Sequence, residues 1–290
     1  MRICRFDGDR LGIVANGNVH DVTDLQQQIR AAAPYAMKGD AVIHSLPQWR
    51  DRLASAAAKA PAIPLGNVKL IAPVARSSKA LAAPTNYQDH IAEMAAARVT
   101  SGSKHTAKIG TDGIFLKAGS SIVGPSEGIP VRFPERRTDH ELELVIVIGK
   151  QGTDIGQDKA LDHIAGYCLG LDMTIRGPED RSFRKSPDGY AVLGPWMVTA
   201  DEIADPDDVA LVLKVNGEVR QQTSTRHLVY GIRRLIEFAS SFYTLYPGDV
   251  FYTGTPSGVG PVKPGDVIEL ESPSIGAMTV PVRAHVPGQS

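Results

Sequence analysis

Two glutamates, Glu141 and Glu143, stand two positions apart in the run DHELELVIVIGK, just ahead of the aliphatic stretch Leu144, Val145, Ile146, Val147 and Ile148. Along a β-strand, residues i and i+2 share a face, so both carboxylates project together from an otherwise apolar element. Carboxylates gathered in a dry environment repel each other and lose hydration, and something must compensate them. A hard divalent cation does so with oxygen ligands alone, which points to magnesium- or manganese-type chemistry. The competing reading is a solvated sheet face on which the pair is neutralised by Arg136 or Arg137. A third acid, Asp172, closes the apolar run GYCLGL where a strand gives way to MTIRGPED. Three carboxylates, with waters and substrate oxygens, complete an octahedral shell. Alone, Asp172 also reads as a loop-starting or capping aspartate.

A second constellation is NYQDHIAEM, residues 86–94. His90 and Glu93 are three apart, which on a helix makes them neighbours one turn on. A carboxylate beside an imidazole fixes its tautomer and raises its basicity, preparing a general base. The plainer reading is a surface ion pair. Lys117 (IFLK) and Lys185 (SFRKSPDGY) flank the proposed metal region, and a lysine there can hold a substrate carboxylate or a developing enolate. The segment PGDVFYTGTPSGVGPVKPGD supplies Gly254, Gly258 and Gly260 for close backbone approach and Thr253 and Thr255 as hydrogen-bond donors. No Gly-Lys-Ser/Thr follows and no helix opens there, so it is not a phosphate-binding loop.

These residues need a scaffold of strands. Candidates run over residues 114–117, 141–148, 166–173, 209–215, 250–253, 267–271 and 278–284, with Asn216-Gly217 as a hairpin turn. One long amphipathic helix is expected over residues 227–243. Residues 1–75 form a small unit of hairpin strands and two helices, near residues 24–37 and 48–58, and residues 76–290 form the larger domain. The polar stretch 98–113, without periodicity, is a lid or a plain surface loop. The class is mainly β with short helices, a sheet-rich roll or sandwich.

The bulk numbers narrow the function. With 31 Lys plus Arg against 32 Asp plus Glu, no net field draws the chain to nucleic acid or an anionic membrane. Two cysteines, Cys4 and Cys168, are too few for a disulfide scaffold or a cysteine zinc site. No stretch approaches the roughly 20 apolar residues of a membrane span, and MRICRFDGDRLGIV carries no signal-peptide pattern. A soluble, cytoplasmic protein is expected.

Taken in order, the segments NYxxHxxE (Asn86 to Glu93), FLK, ELELVIVIGK, LDMTIR, KSPDGY, GPWMVTADEIADP, VNGEVRQ and TLYPGDVFYTGTPSGVG resemble the fumarylacetoacetate hydrolase family over residues 68–290. The resemblance implies a mixed β-sandwich roll catalytic domain with a small N-terminal α+β domain, in a homodimer. It implies a divalent cation, Mg2+ or Mn2+, on Glu141, Glu143 and Asp172. It also implies a catalytic His90–Glu93 dyad on a lid element, an active-site Lys185, and substrate contacts at Lys117, Arg176, Gly254 and Thr255. Where many members read T-A-R-D after the metal aspartate, this chain reads Thr174-Ile175-Arg176-Gly177, and GPEDRSFRK before Lys185 is also distinctive. Arg181 and Arg184 in that stretch bear on substrate contacts. The expected reaction is hydrolytic carbon–carbon cleavage of a 2,4-dioxo acid of the acylpyruvate or fumarylpyruvate type. The alternatives are an isomerase or decarboxylase of a related 2-oxo diacid in aromatic or sugar-acid catabolism, and a non-catalytic metabolite-binding module.

Overall fold

The computed structural model describes residues 1–93 and 109–287. Its centre is the strand Leu142–Ile148, whose seven residues are all buried. Alternation divides them between two apolar clusters. Leu142, Leu144, Ile146 and Ile148 pack towards Leu211, Leu213, Leu235 and Ile268. Val145 and Val147 pack on the other side with Ile43, Leu46, Leu53, Cys168 and Met197. Glu141 and Glu143 continue the Val145–Val147 row, so a strand apolar on both faces ends in two acids on one of them.

This strand lies in a 12-stranded sheet. Antiparallel neighbours are Ile164–Asp172 on one side and Val250–Tyr252 on the other. Beyond Val250–Tyr252 come the short strands Ala80–Ala82 and Phe115–Lys117. Beyond Ile164–Asp172 comes Ala191–Thr199, which pairs in turn with the N-terminal strand Arg2–Phe6. The hairpin strands Arg10–Ala15 and Asn18–Asp21 extend the same sheet outward, so the first residues of the chain are hydrogen-bonded into the sheet that carries the acids. A second, five-stranded sheet contains Ala210–Val215, Glu218–Ser224, Val267–Ser272, Gly276–Ala284 and Ile129–Val131. It packs on the Leu142–Ile148 face of the first, as expected for a mainly β fold with short helices.

Three departures from the expected elements have local causes. Ala191–Thr199 was not expected as a strand, because Gly194-Pro195 interrupts it. The register with Ile164–Asp172 shifts between Tyr167 and Leu169, and the proline falls in that irregularity, where its missing N–H costs no ladder bond. The second helix runs over Ala41–Ala57, starting well before the expected residue 48. Asp40 caps it by accepting the Val42 and Ile43 N–H groups, and Val42, Ile43 and Leu46 are buried ahead of Pro47. The expected long helix over 227–243 is shortened to Ile232–Ser240. Residues 228–230 instead run beside Asn86, which accepts the Val229 and Tyr230 amides at its backbone and side-chain oxygens.

Cys4 and Cys168 are both buried free thiols. Among the described residues, no helix is long and apolar enough to cross a membrane. Of the expected loop 98–113, residues 98–108 lie outside the described residues, and Ile109–Asp112 forms one helical turn.

Candidate active site

The acidic row meets its third member through strand pairing. Leu142 pairs with Leu171 and Glu143 with Gly170, and the Asp172 N–H donates to the Glu141 carbonyl at 3.0 Å. This register brings carboxylate oxygens of Glu141, Glu143 and Asp172 within 4.8 Å of one another, all three buried. Gly170 has to be glycine: a Cβ there would lie 2.4 Å from Val145 Cγ2 and 2.8 Å from a ring carbon of Tyr252. The solvated-face alternative does not hold, since Arg136 pairs with Glu179 and Arg137 with Asp139.

Two buried lysines answer the acids. Lys185 Nζ lies 2.6 Å from Glu141 Oε2 and 2.6 Å from Asp172 Oδ2. Lys117 Nζ donates to Asp172 Oδ1 and to the Lys185 carbonyl. It stands behind Asp172 and is not among the residues lining the cavity. Arg176 donates to Asp139 at 2.6 Å and approaches Glu141 at 3.5 Å. Thr174 Oγ1 donates to Glu141 at 3.1 Å.

The cationic groups are shared unevenly. Burial disfavours ionisation of Glu141, but Lys185 and Arg176 beside it outweigh that and hold its carboxyl below the ordinary range. Among the described residues, Glu143 receives only the Gly254 N–H, at 2.6 Å. Burial, together with the neighbouring Asp172 and Glu141 charges, pushes its pKa well above the ordinary carboxylate value. Burial likewise lowers the Lys117 pKa, with Lys185 adding repulsion. Lys117, Lys185 and Arg176 thus gather on Glu141 and Asp172, and among the described residues Glu143 has no cationic partner within ion-pair distance. An all-oxygen donor set with one carboxylate left unpaired fits a hard divalent cation and does not suit a thiolate- or imidazole-preferring metal.

The second half of the site hangs on a different frame. His90 is buried, and its Nδ1 lies 2.9 Å from Glu93 Oε2. The other Glu93 oxygen accepts the Gly258 N–H at 3.1 Å, and Asp89 accepts Ser257 Oγ at 2.8 Å. Asn86 Nδ2 donates to the Thr253 and Tyr230 carbonyls. The glycine-rich turn thus grips the His90 segment at Asn86, Asp89 and Glu93. Gly254 and Gly258 take φ of 106° and 90°, and a Cβ on Gly258 would lie 2.1 Å from the Arg220 carbonyl oxygen. The N–H of Gly254, a residue expected among the substrate contacts, is engaged here by Glu143, and that of Gly258 by Glu93.

His90, Glu141, Glu143, Asp172, Arg176, Lys185 and Thr255 line one cavity of about 150 Å³, which Phe115, Arg181 and Arg184 also wall. One positioning residue escaped the sequence reading. Gln221 is buried in the otherwise largely exposed strand Glu218–Ser224. Its Nε2 donates to Thr255 Oγ1 at 2.8 Å and to the Pro256 carbonyl, while its Oε1 accepts the Leu142 N–H at 2.9 Å. It ties the turn to the start of the acid-bearing strand. Its only sequence signal was membership in VNGEVRQ.

The arrangement sets a buried carboxylate triad able to hold a divalent cation and a carboxylate-paired imidazole around one cavity, on a scaffold of β-sheets. The family model for the fumarylacetoacetate (FAA) hydrolase C-terminal domain matches residues 79–283, and the chain belongs to that family. It is 48% identical over 287 residues to a maleylpyruvate hydrolase of Aquipseudomonas alcaligenes, covering 98% of this chain and 100% of that protein. It is 38% identical over 231 residues to an oxaloacetate tautomerase of Xenopus laevis, covering 74% of this chain and 69% of that one. A crystal structure of maleylpyruvate hydrolase from Sphingobium sp. SYK-6, in complex with manganese (II) ion and pyruvate, superimposes with a TM-score of 0.81. That pair is 36% identical and covers 99% of this chain and 100% of the other.

Proposed function

We propose that the chain is a divalent-metal-dependent hydrolase that cleaves the C3–C4 bond of a 2,4-dioxo acid of the acylpyruvate type. The observation that carries this is the meeting of the carboxylate triad and the His90–Glu93 dyad in one cavity. The maleylpyruvate hydrolase similarity and the neighbour crystallised with manganese and pyruvate support it. Glu141, Glu143 and Asp172 are the proposed cation ligands, with Mg2+ or Mn2+ as the ion. When bound, the cation supplies Lewis-acid polarisation of the 2-oxo acid end.

The chain's own groups do the rest. Glu93 accepts the His90 Nδ1 proton and leaves Nε2 free to take a proton from water. The water oxygen bonds to the C4 carbonyl carbon, the C3–C4 bond breaks, and its electron pair forms the enolate of pyruvate. Lys185 Nζ, beside Glu141 and Asp172, is placed to offset the charge on the enolate oxygen. Protonation of that enolate at C3 gives pyruvate, and the former acyl group leaves as a carboxylic acid. Thr255 Oγ1 accepts from Gln221, so its own proton is free for a substrate oxygen. Arg176 completes the wall, while Lys117 and Gly254 act through Asp172 and Glu143.

An isomerase or decarboxylase would share the triad but has no use for an activated water; the dyad itself favours hydrolysis or decarboxylation over simple isomerisation. The deciding assay follows loss of ultraviolet absorbance from a panel of 2,4-dioxo acids with magnesium or manganese and with chelator, in oxygen-18 water. One labelled oxygen in the acid product is expected; turnover without label would exclude hydrolysis. A cytoplasmic homodimer acting in aromatic catabolism completes the reading, supported by the family resemblance, and light scattering of the purified chain tests the dimer.

A further inference from the structure

Resting on the acylpyruvate reading, we infer that Arg184, with Arg181 beside it, binds a second carboxylate at the far end of the substrate and makes this site selective for dicarboxylic acylpyruvates. Arg184 Nη1 is buried without a hydrogen-bond partner among the described residues. A buried guanidinium nitrogen left unpaired is costly, and an arriving carboxylate oxygen satisfies it. Among the described residues, neither Arg181 nor Arg184 has a carboxylate within ion-pair distance. The acids that line the outer cavity are engaged: Glu179 by Arg136 at 2.7 Å, Asp180 by the Ser182 N–H as cap of the turn Arg181–Arg184, and Asp112 by Thr111 Oγ1 at 3.0 Å. Arg176, by contrast, is already held by Asp139.

Placement gives the direction of the chain. Phe115, Arg181 and Arg184 wall both the acid-lined cavity and a neighbouring outer cavity of about 610 Å³. Lys185 Nζ and Arg181 Cζ lie 5.5 Å and 5.4 Å from the centre of the Phe115 ring. The inner cavity, comparable to one that holds benzene (about 150 Å³), accepts the pyruvyl head at the triad. The acyl tail then passes the Phe115 ring into the outer cavity, where its terminal carboxylate meets the two guanidinium groups. Planar, bidentate recognition of that kind is what arginine provides and lysine does not.

The test compares kcat/KM for a 2,4-dioxo diacid, its methyl ester at the distal carboxylate, and 2,4-dioxopentanoate. The unmodified enzyme should favour the free diacid over its ester by roughly 10–100-fold, the range expected for a charge-assisted hydrogen bond. In Arg184→Gln that preference should collapse by a similar factor, with Arg184→Lys recovering part of it. Equal rates on diacid and ester in the unmodified enzyme overturn the inference even if the variants do not fold. An undiminished preference in Arg184→Gln overturns it too. Both results leave the hydrolase reading standing. Absence of metal-dependent turnover on every compound overturns that reading and this one with it.

Discussion

The two halves of the site are built to different standards. Glu141, Glu143 and Asp172 sit at the ends of paired central strands, where register and a glycine with no room for a side chain set their approach, two buried lysines hold Glu141 and Asp172, and the Gly254 N–H holds Glu143. His90 and Glu93 sit on a short segment at the edge of the sheet, held by single hydrogen bonds to a glycine-rich turn. Concentrated charge demands a rigid frame, because any relaxation exposes repulsion in a medium of low dielectric. A proton-transfer group needs only its orientation set, and a few side-chain bonds suffice.

The contrast breaks most completely at the acids. Glu143→Ala should abolish cation binding and turnover together, read by isothermal titration with manganese and by the ultraviolet assay. Cation binding that survives the change would remove Glu143 from the ligand set. His90→Ala should separate the halves: the cation still binds, while kcat falls by roughly 10²–10⁴-fold, as for loss of a general base. Full activity in that variant would refute the dyad.

Gln221→Ala strikes the seam between them. It leaves the Leu142 amide and Thr255 without their partner, and an unsatisfied buried group costs about 1–3 kcal/mol. A fall of roughly 2–10 °C in the unfolding midpoint is expected by calorimetry, with a loss of turnover smaller than for His90→Ala. An unmoved midpoint would show that the seam carries no strain of this kind.

Acidity sharpens the comparison further. The Glu143 pKa is raised in the folded, cation-free protein, so its favourable contribution is fully present below the ordinary glutamate value of about 4.3 and is lost as pH rises through the raised one. A cation must displace that proton, so its affinity should increase with pH over the same window. Titration in two buffers of different ionisation enthalpy should detect proton release on binding; affinity independent of pH would contradict the protonated state. The smallest effect is expected from Asp89→Ala, which removes one exposed tether to Ser257. It should change kcat by roughly 2–10-fold and leave manganese affinity as it was.

The acid triad was legible because its physics is local: a two-residue period and an aspartate at the end of an apolar run fix which groups can meet. The strand frame was largely legible for the same reason. Ala191–Thr199 was missed because Pro195 reads as a breaker until a register shift accommodates it. The helix over 227–243 was overextended, because nothing in its periodicity announces that Asn86 will claim the amides of Val229 and Tyr230. The burial of Gln221, and of Arg184 Nη1 without a partner, was not legible for a related reason. Burial of a lone polar side chain depends on which distant segment covers it, and no short-range pattern encodes that.

The two buried sulfhydryls put a pair of reporters into one sheet, Cys4 on its N-terminal extension and Cys168 on a strand flanking the acids. Burial pushes the Cys4 pKa up to about 12 and the Cys168 pKa higher still, so neither reacts as thiolate while its strand stays paired. Alkylation rates at each, followed by mass spectrometry, therefore reveal whether the amino-terminal strands peel away first or the whole sheet opens at once.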